Sequence, residues 1–492
     1  MALHHYDKNG REIGTSYTTG EETFLNIIMV LIVIVCIVVY LMISYWYIVV
    51  AGIFLCWLVW GISRGIKERN RKSYTNDLSL EWVELHSGFK SIEEYAFKGC
   101  SNLKRIEIPN SVNEIGKCAF EGCANLQSIN IPASVTKIGS CAFVRCTNLQ
   151  SINIPDSITE IEPFVFNECL NLQSINIPVN VTRIGFNAFE GCLSLKSIEI
   201  PDSITRIESS VFEGCTNLQS INIPDSVTEI GEQAFMNCGN LQSVNIPAGV
   251  TKIGGAAFAG CNKLNKIQVN ANNLHYDSRE NCNAIIRTID NCLIASCKAT
   301  VIPSNIKELG KRAFSNRLDI YSILLPSSIT KIGDYAFSEC SNLQNIEIPD
   351  SVIEIGDGAF EECTNLQGIH IPASVTKINQ RTFSGCSNLK GIEIPNSVTE
   401  IIESAFYGCT NLQSVTIPAS VTAIGEDIFY KCNNLKEVYV KRLAPPYIGD
   451  FDLGLCDDAY IYVPLASVDV YKTAKGWCEY AEDRVRIIGY NF

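Results

Sequence analysis

The chain has 492 residues, a formal net charge of −13 and a charged fraction of 18%. This acidic balance excludes the broad basic surface on which phosphate binding depends, so we expect no nucleic-acid partner. The 22 cysteines include no CxxC pair and no Cys/His quartet, which argues against a zinc site or a small disulfide framework. Most of them recur in one column, which favours small buried side chains and leaves the redox compartment open.

The N-terminal part of the chain combines a polar tail, residues 1–23, with an uncharged run, residues 24–62. The tail shows no hydrophobic periodicity and is predicted to be loose. As one helix the uncharged run would be about 58 Å long, far more than a hydrocarbon core of about 30 Å. A transmembrane helical hairpin with spans at 24–43 and 48–62 fits better, although one tilted span stays an alternative. The length of the run and the acidic residues before it argue against a cleavable signal peptide.

A basic flank follows the uncharged run, and residues 63–88 are predicted to form a polar stalk. Cytoplasmic flanks collect such charges, so the flank places the rest of the chain on the inner side. The same side chains are expected to contact anionic lipid headgroups. The basic residues are Arg64, Lys67, Arg69, Arg71 and Lys72.

A 23-residue period organises the chain from 97 to 435. Phenylalanine recurs at this spacing from Phe97 to Phe258 and again from Phe314 to Phe429. Cysteine and proline hold two further columns with the same spacing. A period in the twenties is typical of a solenoid whose repeats cannot bury their apolar residues alone. We therefore predict one solenoid over residues 89–440.

One repeat predicts two short strands and a turn. Ile129 and Ile131 share one face of a strand that Pro132 ends. A second extended piece ends at Gly139, and the stretch up to Cys146 is predicted to be a tight turn of helix-like character. An Asn recurs before the Leu of each repeat, as in Asn148, and is expected to be buried and bonded to the backbone of the loops.

These columns, written CxNLxSIxIPxSVTxIGxxAFxG, resemble the BspA-like leucine-rich repeats, also called the Treponema pallidum type. Proteins with such repeats are found on the surface of anaerobic bacteria and in some parasitic protists. The resemblance implies a β-rich leucine-rich repeat solenoid, with short strands and short helical turns, that binds host or microbial surface proteins through a strand-lined face. It implies no catalytic residues and no cofactor. Family members are usually exported, whereas the basic flank favours the cytoplasm, so the side of the solenoid stays open.

The register slips once, between Phe258 and Phe314, where ten extra residues produce a longer irregular repeat at about 262–309. The runs AIIRT and CLIAS within it predict a β-hairpin. Cys282, Cys292 and Cys297 lie here near His275, but their spacing matches no zinc pattern and favours structural cysteines.

A C-terminal cap is predicted over 441–492, because an open solenoid end would expose its core. A helix is expected to begin at Ser467 as its N-cap, with Val470, Tyr471, Ala474 and Trp477 facing inward. RVRIIGYNF is predicted to be a final strand.

No catalytic motif is found: the chain contains no G-x-S-x-G, HExxH, P-loop or GxGxxG. The five histidines have no partner at a recognisable catalytic spacing. Acidic residues such as Glu160 and Glu229 share an outer column with lysine and arginine, which suits a solvated face. We therefore predict no catalytic, metal or cofactor residue and no enzyme.

The outward residues of the first strand form the candidate partner-binding face. Between 127 and 176 this face is uniformly polar and uncharged. Such a face suits either a surface that only keeps the protein soluble or one that makes many weak contacts along an extended partner. Between 340 and 440 it becomes varied, so a specific epitope is expected there. The candidate residues are Gln127, Ser128, Asn130, Gln150, Asn153, Glu347, His370, Glu393 and Tyr439.

Three functions are compatible with these observations. The first is a membrane-anchored protein that binds unidentified proteins through the solenoid face. The second is a cell-surface adhesin of the same fold. The third is a structural spacer without a dedicated ligand.

Overall fold

The computed structural model divides the chain into two compact units, Met1–Leu218 and Gln219–Phe492. Among the residues it describes, no helix combines the length and the apolar character that crossing a bilayer requires. The predicted spans within 24–62 and the basic flank lie outside the described residues. The described residues are 2–6, 12–17, 74–85, 87–448, 452–456, 458–482 and 486–492.

Front strands, as we call the first strand of each repeat, form parallel ladders in both units. Ser128 pairs with Ser151 and Ile129 with Ile152, which is the register that a 23-residue repeat requires. The central residue points inward: Ile129 is 6% exposed, whereas Ser128 is exposed. The front strands of the first unit are Trp82–Glu84, Arg105–Glu107, Ser128–Asn130, Ser151–Asn153, Ser174–Asn176 and Ser197–Glu199. Those of the second are Ser220–Asn222, Ser243–Ile246, Lys266–Val269, Ser322–Leu324, Asn345–Glu347, Ser414–Ile417 and Glu437–Val440. Two strands of the C-terminal cap, Tyr460–Pro464 and Arg486–Tyr490, continue the sheet of the last two.

Side strands of two residues form a second ladder in each unit. Their outer charges pair between repeats, as in Lys137 Nζ to Glu114 Oε1 at 3.0 Å and Lys377 Nζ to Glu400 Oε2 at 3.1 Å. The charge column predicted to be solvated is thus a row of exposed ion pairs, each worth little in stability. Side strands of the first unit are Ser91–Ile92, Glu114–Ile115, Lys137–Ile138, Glu160–Ile161, Arg183–Ile184 and Arg206–Ile207. Those of the second are Glu229–Ile230, Lys252–Ile253, Glu308–Leu309, Lys331–Ile332, Glu354–Ile355, Lys377–Ile378, Glu400–Ile401 and Ala423–Ile424.

The phenylalanine column is a stack of buried rings. Phe143 is 0% exposed, and its ring centroid lies 5.4 Å from that of Phe120 and 5.7 Å from that of Phe166. In the second unit Phe383 stacks in the same way between Phe360 and Phe406. Each ring therefore buries its faces against its neighbours, which is how a repeat too small to fold alone acquires a core.

The cysteine column does more than fill space. The Cys146 thiol donates to the backbone carbonyl of Phe120, with Sγ 3.2 Å from the oxygen, and Cys386 makes the same contact with Phe360. Burial raises the pKa of these thiols well above the usual value and holds them neutral. The contact explains why cysteine recurs at this position. Alanine would also fit, but it has no thiol to donate to the phenylalanine carbonyl.

The segment predicted to be a helix-like turn is a series of tight turns without a helix. Cys141 and Arg145 adopt left-handed conformations with φ of 60° and 59°. The N–H groups of Cys141 and Phe143 donate to carbonyl oxygens of the following repeat, at 3.1 and 2.9 Å. Because alternate N–H groups bond between repeats, they are not available for the i to i−4 pattern of an α-helix.

The asparagine ladder is present, but the prediction that it is buried is wrong. Asn148 donates through Nδ2 to Oδ1 of Asn125 at 3.2 Å, and Asn171 donates to Asn148 at 3.1 Å. These side chains are half-buried or exposed, and they bond mainly to one another. At the start of this row Asn102 bonds instead to the backbone carbonyl of Leu78.

The repeats begin earlier than the predicted boundary at 89. Tyr74 stacks on Phe97 with centroids 5.6 Å apart, so it occupies the position of the repeated phenylalanine. The front strand Trp82–Glu84 pairs in parallel with Arg105–Glu107. Residues 74–85, predicted to belong to the stalk, therefore form the first repeat.

Residues predicted to be a loose tail contain two strands, Ala2–Tyr6 and Glu12–Tyr17, which pair antiparallel. The first of them also pairs antiparallel with Trp82–Glu84. The N-terminal part of the chain thus extends the front sheet of the first unit by a hairpin.

The irregular repeat contains the predicted hairpin, in which Ala284–Arg287 pairs antiparallel with Cys292–Ser296. Tyr276–Asp277 adds a further strand, and a 3-10 helix spans Arg279–Asn281. The second hairpin strand joins the side-strand ladder, because Cys292 pairs in parallel with Glu308.

The C-terminal cap contains a 3-10 turn, Leu465–Ser467, and two short helices, Val468–Thr473 and Glu479–Glu482. The expected single helix is interrupted because Ala474 is extended, and Ser467 makes no side-chain cap. Tyr471 and Trp477 are buried as predicted, and Trp477 Nε1 donates to the carbonyl of Pro446 at 2.8 Å. Val470 is 51% exposed and does not face inward.

Candidate functional site

The uniform residues predicted for the front face lie in the first unit, side by side, and Gln219, Ser220 and Asn222 repeat the same trio at the start of the second unit. Gln127, Ser128 and Asn130 are exposed, and the next repeat presents Gln150 and Asn153 in register with them. The side chains offer amide and hydroxyl groups but no charge. Such a surface can form hydrogen bonds with a partner at many equivalent places.

A groove of 680 Å³ borders this uniform stretch on the side of the earlier repeat. It is lined by 104–108 together with Gln127, Ser128 and Asn130. Lys104 Nζ contacts Glu81 at 3.2 Å, and Arg105 pairs with Glu107. Sequence reasoning missed these charges because it considered the repeated Gln, Ser and Asn alone, although Arg105 holds the same register position as Ser128.

In the second unit, backbone pairing brings much of the predicted varied face together. His370 forms a parallel bridge with Glu393, and Glu393 forms one with Thr416. Thr416 pairs in turn with Tyr439. Three of the predicted residues therefore lie in one row, and Thr416, which was not predicted, lies between two of them. Glu347 pairs with Leu324 of the preceding repeat, whose side chain is 80% exposed.

Two glycines run beside this row. A Cβ atom added to Gly368 or Gly391 would meet no atom within 4 Å. Glycine is therefore not required here by close packing; Gly391 is exposed and Gly368 is half-buried. Neither glycine belongs to a strand, and the front ladder consists here of single bridges at His370 and Glu393.

An aromatic cluster closes the row at its C-terminal end. Tyr439 and Tyr462 stack with centroids 4.7 Å apart, and Tyr490 packs edge-on against both, at 5.4 and 5.8 Å. Phe492 lies 5.1 Å from Tyr490, and Tyr460 lies 6.4 Å from Tyr462. Tyr490 and Phe492 are 43% and 50% exposed, so the cluster presents rings to solvent.

A carboxylate accompanies these rings. Tyr439 Oη donates to Glu437 Oε2 at 3.0 Å. Packing among the rings, together with this bond to Glu437, raises the pKa of Tyr439 to about 12. The hydroxyl therefore remains a neutral donor near pH 7. Tyr462 could have been found from the sequence, because it follows Tyr439 by one repeat, whereas Tyr490 does not fit the period.

Metal binding has no candidate among the described residues, where no three His, Cys, Asp or Glu side chains are grouped as ligands. Cys297 of the irregular repeat donates to the carbonyl of Asn283 at 3.1 Å, while Cys282 and Cys292 are buried. His275 is exposed. Stacked repeats in general present an extended surface that other molecules can contact.

Comparison with protein families matches the family described as "BspA type Leucine rich repeat region (6 copies)". The matches cover residues 67–196, 183–292, 276–390 and 353–451, which together span more than half of the chain. A search of proteins with curated descriptions finds no match.

Solved structures of bacterial leucine-rich repeat proteins are similar. A leucine rich cell surface protein from Faecalibacterium prausnitzii is 31% identical, with a TM-score of 0.54, over 73% of this chain and 90% of that one. The leucine rich repeat protein of T. pallidum is 30% identical over 38% of this chain and 78% of its own, with a TM-score of 0.31. One from Eubacterium ventriosum is 23% identical over 74% and 86%, with a TM-score of 0.46. The chain belongs to the BspA type leucine-rich repeat family.

Proposed function

We propose that this protein binds other proteins through the front strands of its second unit. The observation that carries the proposal is the change from a uniform Gln, Ser and Asn face to a row of His370, Glu393, Thr416 and Tyr439 ending in an aromatic cluster. A surface that only maintains solubility needs no such change. Exposed tyrosines beside polar groups are characteristic of the contacts that dominate protein interfaces.

The chemistry of the row favours a partner segment that carries positive charge. Glu347 and Glu393 are exposed carboxylates, and Glu437 lies against the tyrosine rings. Aromatic faces attract cations, and adjacent carboxylates strengthen that attraction. Lys436, a nearby cation, is already paired with Asp458. We therefore expect a partner that places lysine or arginine side chains over the cluster and its main chain along Gly368 and Gly391.

The test compares two triple variants of the full chain. Glu347→Gln, His370→Gln and Glu393→Gln together are expected to weaken capture of the partner at least tenfold, while thermal unfolding stays unchanged. The control replaces residues of the same column in the first unit, with Asn130, Asn153 and Asn176 each changed to Ser. Equal partner recovery from both variants and the original protein would remove the case for this face and favour the spacer function.

Membrane anchorage through residues 24–62 completes the proposal. It is supported by the absence of charge from that run and by the basic flank that follows it. The flank favours a cytoplasmic solenoid. The similarity to a leucine rich cell surface protein instead favours an adhesin on the outer side, which is the second candidate function. Protease treatment of intact cells separates them, because digestion of the solenoid would reject the cytoplasmic orientation.

A further inference from the structure

We infer that the two ends of the 24–62 segment lie on the same side of the membrane, so that the segment crosses it an even number of times. The inference rests on the proposed membrane anchorage and adds its topology. The N-terminal hairpin of the first unit, formed by Ala2–Tyr6 and Glu12–Tyr17, carries the observation. The strand Ala2–Tyr6 pairs with Glu12–Tyr17 on one side and with the front strand Trp82–Glu84 on the other.

The pairing is specific in register. His4 pairs with Glu84, His5 with Val83 and Tyr6 with Trp82. Val83 is fully buried, so this front strand belongs to the core of the unit. Its other edge is occupied by the parallel strand Arg105–Glu107. The hairpin therefore covers the edge of the first repeat that no other repeat occupies, and an uncovered edge would be open to pairing with other chains.

This arrangement restricts how the intervening chain meets a bilayer. The chain leaves the hairpin after Tyr17 and has returned to the first repeat by Tyr74. Paired strands lie about 4.8 Å apart, whereas the two ends of a single span are separated by a hydrocarbon core of about 30 Å. A single span would put the hairpin and the first repeat on opposite sides, where they could not pair. The pairing therefore requires an even number of crossings, as in the hairpin predicted from the sequence at 24–43 and 48–62.

The N-terminal hairpin and the first repeat share one side of the membrane. Besides covering an edge, the hairpin thus holds the N-terminal part of the chain against the first repeat.

A cross-linking experiment on the full chain in isolated membranes tests this topology. His4→Cys with Glu84→Cys places two thiols on paired residues, within the reach of a disulfide. The matched control, His4→Cys with Glu107→Cys, moves the second thiol one strand further, to roughly 9.6 Å from the first. Under a mild oxidant the first pair is expected to give at least ten times more cross-linked protein. A protease site inserted at residue 20 makes the cross-link visible. After cleavage, the N-terminal fragment stays attached to the rest of the chain only where the disulfide has formed.

Two further readouts separate the topology from the anchorage. Protease sites inserted at residue 20 and, in a second variant, at residue 73 should be both cut or both protected in sealed vesicles. Cutting of one alone, or equal cross-linking in the two cysteine pairs, would overturn the inference. Release of the whole chain by an alkaline wash would instead refute membrane anchorage itself, even where the cross-link still forms.

Discussion

The front face between 128 and 176 in the first unit differs from that between 370 and 439 in the second, although the interiors behind both are built from the same columns. In the first unit the row between 128 and 176 repeats Ser and Asn with almost no variation, whereas the corresponding row of the second unit includes His370, Glu393 and Tyr439. Behind both rows the phenylalanine rings stack at nearly the same distances, 5.4 Å for Phe120 with Phe143 and 5.5 Å for Phe337 with Phe360. The comparison teaches that stacking restricts the inward positions of a repeat and leaves the outward ones free to vary.

The equivalence of the two interiors can be tested first at alkaline pH, where we expect the largest change in the free energy of unfolding. Burial raises the pKa of Cys215 in the first unit and of Cys261 in the second from 9.0 to about 12. Above about pH 9 the unfolded chain releases protons that the folded chain keeps, so the free energy of unfolding falls until about pH 12. Each such thiol contributes about 1.4 kcal/mol per pH unit.

Urea unfolding at pH 8, 9, 10 and 11 measures this effect. Both units should lose stability over the same range, and replacing Cys146 and Cys169 with Ala should make the slope shallower. A stability that stays constant from pH 9 to pH 11 would contradict the buried thiol columns.

Removing one ring from each stack is expected to have the next largest effect. Phe143→Ala and Phe383→Ala each delete a fully buried ring between two others, which typically lowers the free energy of unfolding by about 3–5 kcal/mol. Denaturant titration should give similar losses for the two variants. Phe186→Ala is the control, because Phe186 is 43% exposed and should lose far less. A large difference between Phe143→Ala and Phe383→Ala would show that the two interiors are not equivalent.

Adding a methyl group distinguishes close packing inside a repeat from the open front face. A Cβ on Gly139 would lie 2.6 Å from the backbone nitrogen of Lys117, so Gly139→Ala should destabilise by about 1–3 kcal/mol. Gly368→Ala meets no atom within 4 Å and should change stability by less than about 0.5 kcal/mol. Thermal unfolding of the two variants measures the contrast. If both were neutral, the close contact between repeats at Gly139 would be doubtful.

The smallest expected effect concerns the asparagine ladder. Asn148→Ala removes one bond donated to Asn125 and one accepted from Asn171. Asn388→Ala in the second unit likewise removes bonds to Asn365 and Asn411. Because the ladder is partly exposed, each loss should be about 1 kcal/mol. Losses of several kcal/mol in chemical denaturation would mean that the ladder is buried after all.

Much of the fold could be predicted because period and residue type act together. The spacing of the phenylalanines, and of the strand that Pro132 ends, predicted the parallel register observed between Ile129 and Ile152. The first repeat was missed although its signal was present: Tyr74 precedes Phe97 by one period, but the change from Phe to Tyr and the nearby basic flank hid it.

The candidate site was less predictable, since outward residues follow no rule of burial. Glu393 and Tyr439 could be identified as departures from the repeated pattern. Thr416 could not, because a threonine among serines looks ordinary until pairing places it between them. Tyr490 and Phe492 joined the cluster through a strand that lies outside the repeat.

By itself the sequence determined which side chains point inward, because a strand alternates its faces and a fixed period aligns like residues. The tertiary structure decided where each backbone hydrogen bond goes. It directed the N–H groups of the predicted helical turn to the next repeat, bonded the asparagines to one another, and paired the N-terminal hairpin with Trp82–Glu84. These choices depend on which donors and acceptors lie within about 3 Å in space, and spacing along the chain does not specify that.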